Sequence, residues 1–227
     1  LMVYGTAKDI VRSNLGDPKL NNNLLTFFME QGRREVETLG NFYWMVSTKD
    51  FILTPSRSAF SLTGATDLAL TNFKEARYVL AKAQGTTRWY SLRIKGFEEA
   101  RIVDPTDKVG PPKIAVVNNI TMFIFQQTAD TTYDIELGFF QWTLMPTAGN
   151  TATDELLTFW PQTAIWAATM VGVLHKTKDA LAAKPYADLL QNELAKIQIY
   201  SDNRLRIPDI QRAHPQQAQA PQAAQGG

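Results

Sequence analysis

Cysteine is absent from the 227 residues of the chain, and histidine occurs only twice. The lack of cysteine excludes disulfides, thiol nucleophiles and thiolate metal sites. His175 and His214 are too far apart for the H-x₃-H or HExxH spacing of a zinc site. We therefore predict neither a metal nor a cofactor.

The chain also lacks an excess of charge of either sign and any long apolar run. The 23 basic and 22 acidic residues leave a net charge of +1, which is too small to indicate a polyanionic partner. The longest apolar run lies within residues 163–174 and is shorter than the ~18 residues of a membrane span. The first four residues are too few for the apolar segment of a secretory signal. We expect a soluble protein without a membrane partner.

Groups of residues typical of enzymes are also missing. The carboxylates cluster only at 98–99 and 154–155, and neighbouring side chains on a helix point about 100° apart, so neither doublet forms an acid–base pair. Residues 85–88 lack the glycine spacing and lysine of a phosphate-binding loop. We predict no catalytic residues and no enzymatic activity. A glycan hydrolase that uses carboxylates scattered along the chain is the enzymatic alternative.

A second alternative concerns nucleic acid. Residues 88–93 (RWYSLR) interleave arginine with aromatic residues, a pattern that serves single-strand binding modules. A strand with one buried face produces the same alternation, with aromatic residues inside and charges outside. The simpler explanation is preferred, and single-strand binding remains an alternative.

Residues 113–142 are rich in the β-branched and aromatic residues that favour strands, and they predict a β-meander. Apolar residues recur at helical spacing before residue 46 and after residue 153. We therefore predict an α+β fold. An antiparallel helical bundle (1–45 and 147–200) carries a β-rich module (46–146) inserted between its second and third helices.

Several boundaries follow from local signals. Residues 6–9 (TAKD) have the form of a capping box, and Gly16 stands where a helix would end. Residues 21–23 offer an N-cap for the second helix. Pro161 predicts a kink or restart in the C-terminal helices, and Pro185 predicts a second restart.

Two polar turns are predicted to make contacts with other proteins. Residues 46–62 alternate in polarity around 54–58, which predicts a hairpin with a polar tip, and residues 128–132 form a second polar corner. Turns on a stiff scaffold are common contact sites. The candidate contact residues are Thr54, Pro55, Ser56, Thr128, Asp130 and Thr131.

The C-terminal residues 201–227 predict an extended arm, of low complexity from residue 211. Gln, Ala, Pro and Gly dominate its end, and such a segment buries too little apolar surface to fold alone. Basic and apolar residues recur near its start, and Pro208 stiffens the backbone there. The candidate docking residues are Arg204, Leu205, Arg206, Ile207, Pro208 and Ile210.

In order and character, these elements resemble the head–tail connector (adaptor, or neck) proteins of tailed bacteriophages. The resembling pieces are the short helix at 6–15, the helix end RREVETLGNFYWM (33–45), the β segment 111–142 and the helical pair 155–197. Members of that family are structural proteins with a helical bundle, often with a β insertion. Their C-terminal extensions commonly become ordered within the portal.

The resemblance implies a virion protein that is assembled in the host cytoplasm. It would form a homo-oligomeric ring of about twelve copies that joins the portal protein to a downstream tail or nozzle protein. Genomic DNA would pass through this ring during ejection without any reading of its sequence. The arm would then dock on the portal, and the two polar turns would face the tail or a neighbouring subunit.

Overall fold

The computed structural model of the chain combines five α-helices with seven β-strands, counted over the residues that it describes. These residues are 2–65, 67–96, 109–118, 122–125, 128–144 and 149–205. The helices are α1 (Tyr4–Asn14), α2 (Asn22–Leu39), α3 (Glu155–Phe159), α4 (Pro161–Thr177) and α5 (Ala180–Leu205). No helix among them is both long and apolar enough to cross a membrane. The predicted mixed α+β class is confirmed.

The first helix starts earlier than predicted. It begins at Tyr4, and no side chain caps it, so the capping box at residues 6–9 is wrong. The backbone N–H of Tyr4 donates instead to the Ala152 carbonyl at 2.9 Å, which satisfies one of the donors left free at a helix start. Gly16 ends this helix as predicted, with a φ of 60° that favours glycine.

The second helix has the predicted cap, because the Asn21 side chain accepts a hydrogen bond from the Asn23 N–H at 2.6 Å. The helix restart at Pro161 is also confirmed, with the proline in the first turn of α4. The restart at Pro185 is wrong, because Pro185 lies inside α5. The helical path is interrupted instead at Lys178, which follows the end of α4 and has a φ of 57°.

Helix α4 is central among the helices, since it contacts α1, α2, α3 and α5. Its packing against α2 is tight at Gly32, which lies against Ala167 and Ala168. Phe28 and Ile165 are both buried and lie in the core between these helices. The other buried residues of this cluster are Tyr4, Ala7, Val11, Leu25, Met29, Leu156, Leu157, Ala164 and Ala168.

The seven strands form one mixed sheet in the order β1-β7-β3-β4-β5-β6-β2. Neighbouring strands are antiparallel except β4 and β5, which are parallel. The strands are β1 (Val46–Leu53), β2 (Ala59–Ser61), β3 (Phe73–Ala83), β4 (Tyr90–Gly96), β5 (Ile114–Asn118), β6 (Met122–Phe125) and β7 (Tyr133–Gln141).

The predicted strand pairings are wrong in two places. Strands β1 and β2 do not form a hairpin, because β1 pairs with β7 over its whole length and β2 pairs with β6. The predicted meander holds for β5 and β6, but β7 lies between β1 and β3. Alternating polarity specifies which face of a strand is buried, but it does not specify which other strand it pairs with.

The sheet curls until its two edge strands approach each other. The rings of Phe51 in β1 and Phe60 in β2 are 4.9 Å apart between centroids. Buried side chains from both edges and from the central strands share one apolar cluster inside this curl. It includes Leu53, Phe60, Leu62, Leu68, Val79, Leu92, Ala115, Phe125, Ile135, Leu137 and Phe139.

The outer face of β7 joins the sheet to the helices. Phe140, near the end of β7, packs in one cluster with Val36 of α2 and Ile197 of α5. Two residues earlier, Gly138 lies under the ring of Tyr78 from β3, which occupies the space that a side chain would need. The outer face is thus covered at its Phe140 end.

Candidate functional site

The two polar turns predicted as contact sites lie at the same end of the sheet. Leu53 is in register with Tyr133 across the β1–β7 ladder, so the turn after Leu53 and the turn before Tyr133 are neighbours. A third turn joins them, because the Gln84 N–H donates to the Thr132 carbonyl at 3.0 Å. We call residues 54–58, 84–89 and 128–132 together the apex.

The third turn was missed by the sequence analysis as a contact site. Gly85 in this turn has a φ of 83°, a backbone conformation that glycine adopts without strain. A glycine between two strand-like runs indicates such a turn. Its position beside the other two turns depends on strand pairing, which local sequence does not specify.

The predicted contact residues of the apex differ in their accessibility. Pro55, Ser56, Asp130 and Thr131 are exposed. Thr54 and Thr128 are half-buried. The hydroxyls of Thr54 and Ser56 are 3.2 Å apart, and the backbone N–H of Gly110 donates to the Thr128 carbonyl at 3.0 Å.

Side-chain bonds hold the apex in place. The Tyr133 hydroxyl donates to Asp130 at 2.7 Å. Burial is the larger cause that raises the pKa of Tyr133 above its ordinary value of 10.0, and this hydrogen bond is the second. The hydroxyl therefore stays a donor to higher pH than an ordinary tyrosine. The Arg57 guanidinium forms an ion pair with Asp67. The apex is therefore a set of fixed turns.

The base of the predicted arm lies at the end of α5, and its predicted start needs correction. The helix continues to Leu205, so residues 201–205 are not extended. Ser201 is fully buried, and Leu205 packs against the cluster that joins the helices to the sheet. Tertiary packing thus extends the helix into a polar sequence. Arg206, Ile207, Pro208 and Ile210 lie outside the described residues.

Two arginines fix this helix end. The guanidinium carbon of Arg204 is 4.7 Å from the ring centroid of Tyr43, 5.1 Å from that of Tyr200 and 5.9 Å from that of Phe159. Such distances allow cation–π attraction. Arg77 of β3 donates a hydrogen bond to the carbonyl of Leu205, which is one of the free acceptors at a helix end.

A buried polar network, absent from the sequence analysis, connects four segments of the chain. Arg33 of α2, only 5% exposed, forms an ion pair with Asp154 and donates to the Thr143 hydroxyl at 2.9 Å. Asp154 also accepts from the Tyr4 hydroxyl at 2.8 Å and from the Leu157 N–H at 2.9 Å. It therefore caps α3 while it neutralises a buried charge.

Glu37 extends this network. It is fully buried and accepts hydrogen bonds from the Thr143 N–H at 3.1 Å and from the Thr143 hydroxyl. Burial raises the pKa of Glu37, while the Thr143 bonds and the nearby Arg33 oppose this shift. The network fixes α2 against the segment that follows β7.

Among the described residues, no group of three or more His, Cys, Asp or Glu side chains could hold a metal ion. A comparison with models of known protein families and a search of curated proteins each found no match to the chain.

Proposed function

We propose that the chain is a structural adaptor of a tailed-bacteriophage virion, which forms a ring that joins the portal to the tail and lines part of the DNA exit channel. In this proposal the helices form an antiparallel bundle, and the curled sheet is a module inserted between its second and third helices. The base of the arm faces the portal. The apex faces the next tail component or a neighbouring subunit.

The observation that carries this proposal is the separation of the two contact regions along β7. The apex adjoins Tyr133 at the start of β7. The arm base is held by Arg77, which lies at a register shift beside the Tyr78–Gly138 pair. Five residues of strand, about 17 Å, separate Gly138 from Tyr133. A protein that joins two partners needs such separate contact regions on a rigid body.

Exposed apolar side chains on α5 support self-association. Leu181 is 78% exposed and Ile199 is 66% exposed. Their separation of 18 residues equals five helical turns, so both lie on one line along the helix. Ala183, Leu190 and Ile197 are buried on the opposite side. Asp188 and Asn192 are exposed on the same side as Leu181 and Ile199 and lie between them, so we propose two separate apolar contacts with a neighbouring subunit, about 27 Å apart along the helix.

Electron microscopy of the purified protein, alone and with a co-expressed portal, tests the proposal. We expect rings with an axial hole, and light scattering should give the mass of a closed oligomer. Leu181→Glu with Ile199→Glu should yield folded monomers. A wild-type chain that stays monomeric at high concentration and also in the presence of a portal would contradict the proposal.

A further inference from the structure

A groove of about 350 Å³ lies on the outer face of β1 and β7. Its walls combine three carboxylates, from Asp50, Asp134 and Glu136, with the side chains of Ile52 and Trp89. Ile52 is 54% exposed and Trp89 is 40% exposed. A surface that is both acidic and apolar suits a ligand that carries cations beside apolar groups.

The interactions that the groove carboxylates make with neighbouring side chains neutralise only part of their charge. Lys82 pairs with Asp134 at 3.1 Å, and its ammonium lies 4.9 Å from the Trp89 ring centroid. Glu136 accepts a hydrogen bond from the Tyr78 hydroxyl at 2.8 Å. The ion pair with Lys82 thus offsets one of the three carboxylates.

The described chain ends beside this groove. The last described residue, Leu205, accepts a hydrogen bond from Arg77. The Arg77 guanidinium lies 5.7 Å from the Tyr78 ring centroid, and Tyr78 in turn is bonded to Glu136 in the groove wall. Two side chains therefore connect the end of α5 to the groove.

The following residues are long enough to cover the groove. Tyr78 is in register with Gly138, and Glu136 and Asp134 follow on the same face at about 7 and 14 Å toward the apex. Seven extended residues after Leu205 span about 23 Å. The segment 206–212 (RIPDIQR) can therefore cross the whole groove.

The chemistry of this segment matches the groove. In an extended chain alternate side chains point to the same side, so Arg206, Ile210 and Arg212 share one side. Asp209, its only acidic residue, falls on the other side. The side with the two arginines offers cations to the carboxylates and an apolar group to Ile52 and Trp89.

We propose that the groove binds residues 206–212 of the same chain, with Arg206 and Arg212 paired to its carboxylates and Ile210 against its apolar wall. The base of the arm is then docked on the sheet before any partner takes it up. This inference does not depend on the adaptor function, since it concerns the isolated protein.

Crosslinking between two introduced cysteines in the full chain tests the proposal. The chain has no cysteine of its own, so no native thiol reacts with the reagent. One cysteine replaces Asp209, on the side that faces away from the groove. The second replaces Asp50 in the groove wall or Pro55 just beyond it, and the Pro55 variant keeps all three carboxylates. Ser91 is the matched control site. It is exposed. It also has the same position along the strands as Asp50. Ser91 pairs with Leu80, Leu80 pairs with Glu136, and Glu136 pairs with Asp50.

A freely moving segment meets Ser91 at least as often as Asp50, because Ser91 is one strand away from β3 and Asp50 is two strands away. With a short bis-maleimide reagent, we expect both groove-side pairs to link intramolecularly about tenfold faster than the Ser91 pair, since docking raises the effective concentration. Adding Asp134→Asn and Glu136→Gln to the Pro55 pair should lower its rate to that of the Ser91 control.

Two results would overturn the proposal. If neither groove-side pair links faster than the Ser91 pair, the segment is not docked in the groove. If the groove-side pairs give crosslinked dimers in place of intramolecular links, the occupant is the arm of a second copy. Unchanged circular dichroism spectra and thermal midpoints will establish that each variant is folded.

Discussion

Gly32 in α2 packs directly against Ala168 in α4: a Cβ atom at residue 32 would lie 2.5 Å from the Ala168 backbone nitrogen. Because backbone cannot move aside as a flexible side chain can, Gly32→Ala should separate the two helices and lower the free energy of unfolding by about 1–3 kcal/mol. Urea denaturation measures this change. Gly96→Ala is the control, since no atom lies within 4 Å of a Cβ there. Equal stability of the two variants would contradict the prediction.

Truncation of core aromatic residues should reveal their different burial. Phe28 is fully buried, and Phe28→Ala should cost roughly 3–5 kcal/mol of unfolding free energy. Trp166 of α4 is only half-buried beside the same cluster. Trp166→Ala should therefore cost less. A shift of the denaturation midpoint that is larger for Trp166→Ala than for Phe28→Ala would show that this ranking is wrong.

Glu37 should give the protein a distinctive pH dependence. Burial raises the pKa of Glu37 above its ordinary value of 4.5, so the folded state binds this proton more tightly than the unfolded state. The free energy of unfolding should fall as pH rises from 4.5 through the raised pKa. Glu37→Gln stays neutral, and its stability should depend less on pH over this range. Parallel curves of urea midpoint against pH would exclude this contribution.

Charges placed on the apex should affect assembly and leave folding intact. Ser56 and Thr131 are exposed, so Ser56→Lys with Thr131→Lys should change the unfolding free energy by less than about 0.5 kcal/mol. On the proposed function, attachment of the tail component should fail. Ser13→Lys, at an exposed site on α1, is the control and should assemble normally. Normal particles from the apex variant would exclude this surface as a contact.

Removal of the arm should separate its docking role from folding. Truncation after Leu205 keeps buried Ser201 and the bonds that fix the end of α5. The thermal midpoint should stay within a few degrees of the full chain, while stable attachment to the portal is lost. Co-purification with the portal measures this attachment. A truncated protein that still binds the portal would show that the arm is dispensable.

Elements with a strong local signal were predictable from the sequence. The Asn21 cap and the start of α4 at Pro161 depend on backbone groups within one helical turn, and such signals can be recognised without a structure. Residues near the apex were also identified as turns. Their clustering was not, because it depends on the pairing of Leu53 with Tyr133, 80 residues later in the chain.

Prediction failed where distant contacts override a local preference. Pro185 lowers the helix propensity of its segment, yet burial of Ala183 and Leu190 on either side stabilises α5 through it. Arg33 and Glu37 carry charges that local sequence places in solvent, yet both are buried because Asp154 and Thr143 supply partners. Such partners, more than 100 residues away, leave no local pattern.

The pairing of β1 with β7 and of α2 with α4 also constrains how the chain is made. Synthesis proceeds from the N-terminus, and about 126 residues separate Leu39 from Ile165, which takes roughly 6–25 s at ribosomal rates. During that time Phe28 and the apolar side of α2 lack the helix that covers them. The apolar side of α2 therefore stays uncovered on the nascent chain until α4 has been made.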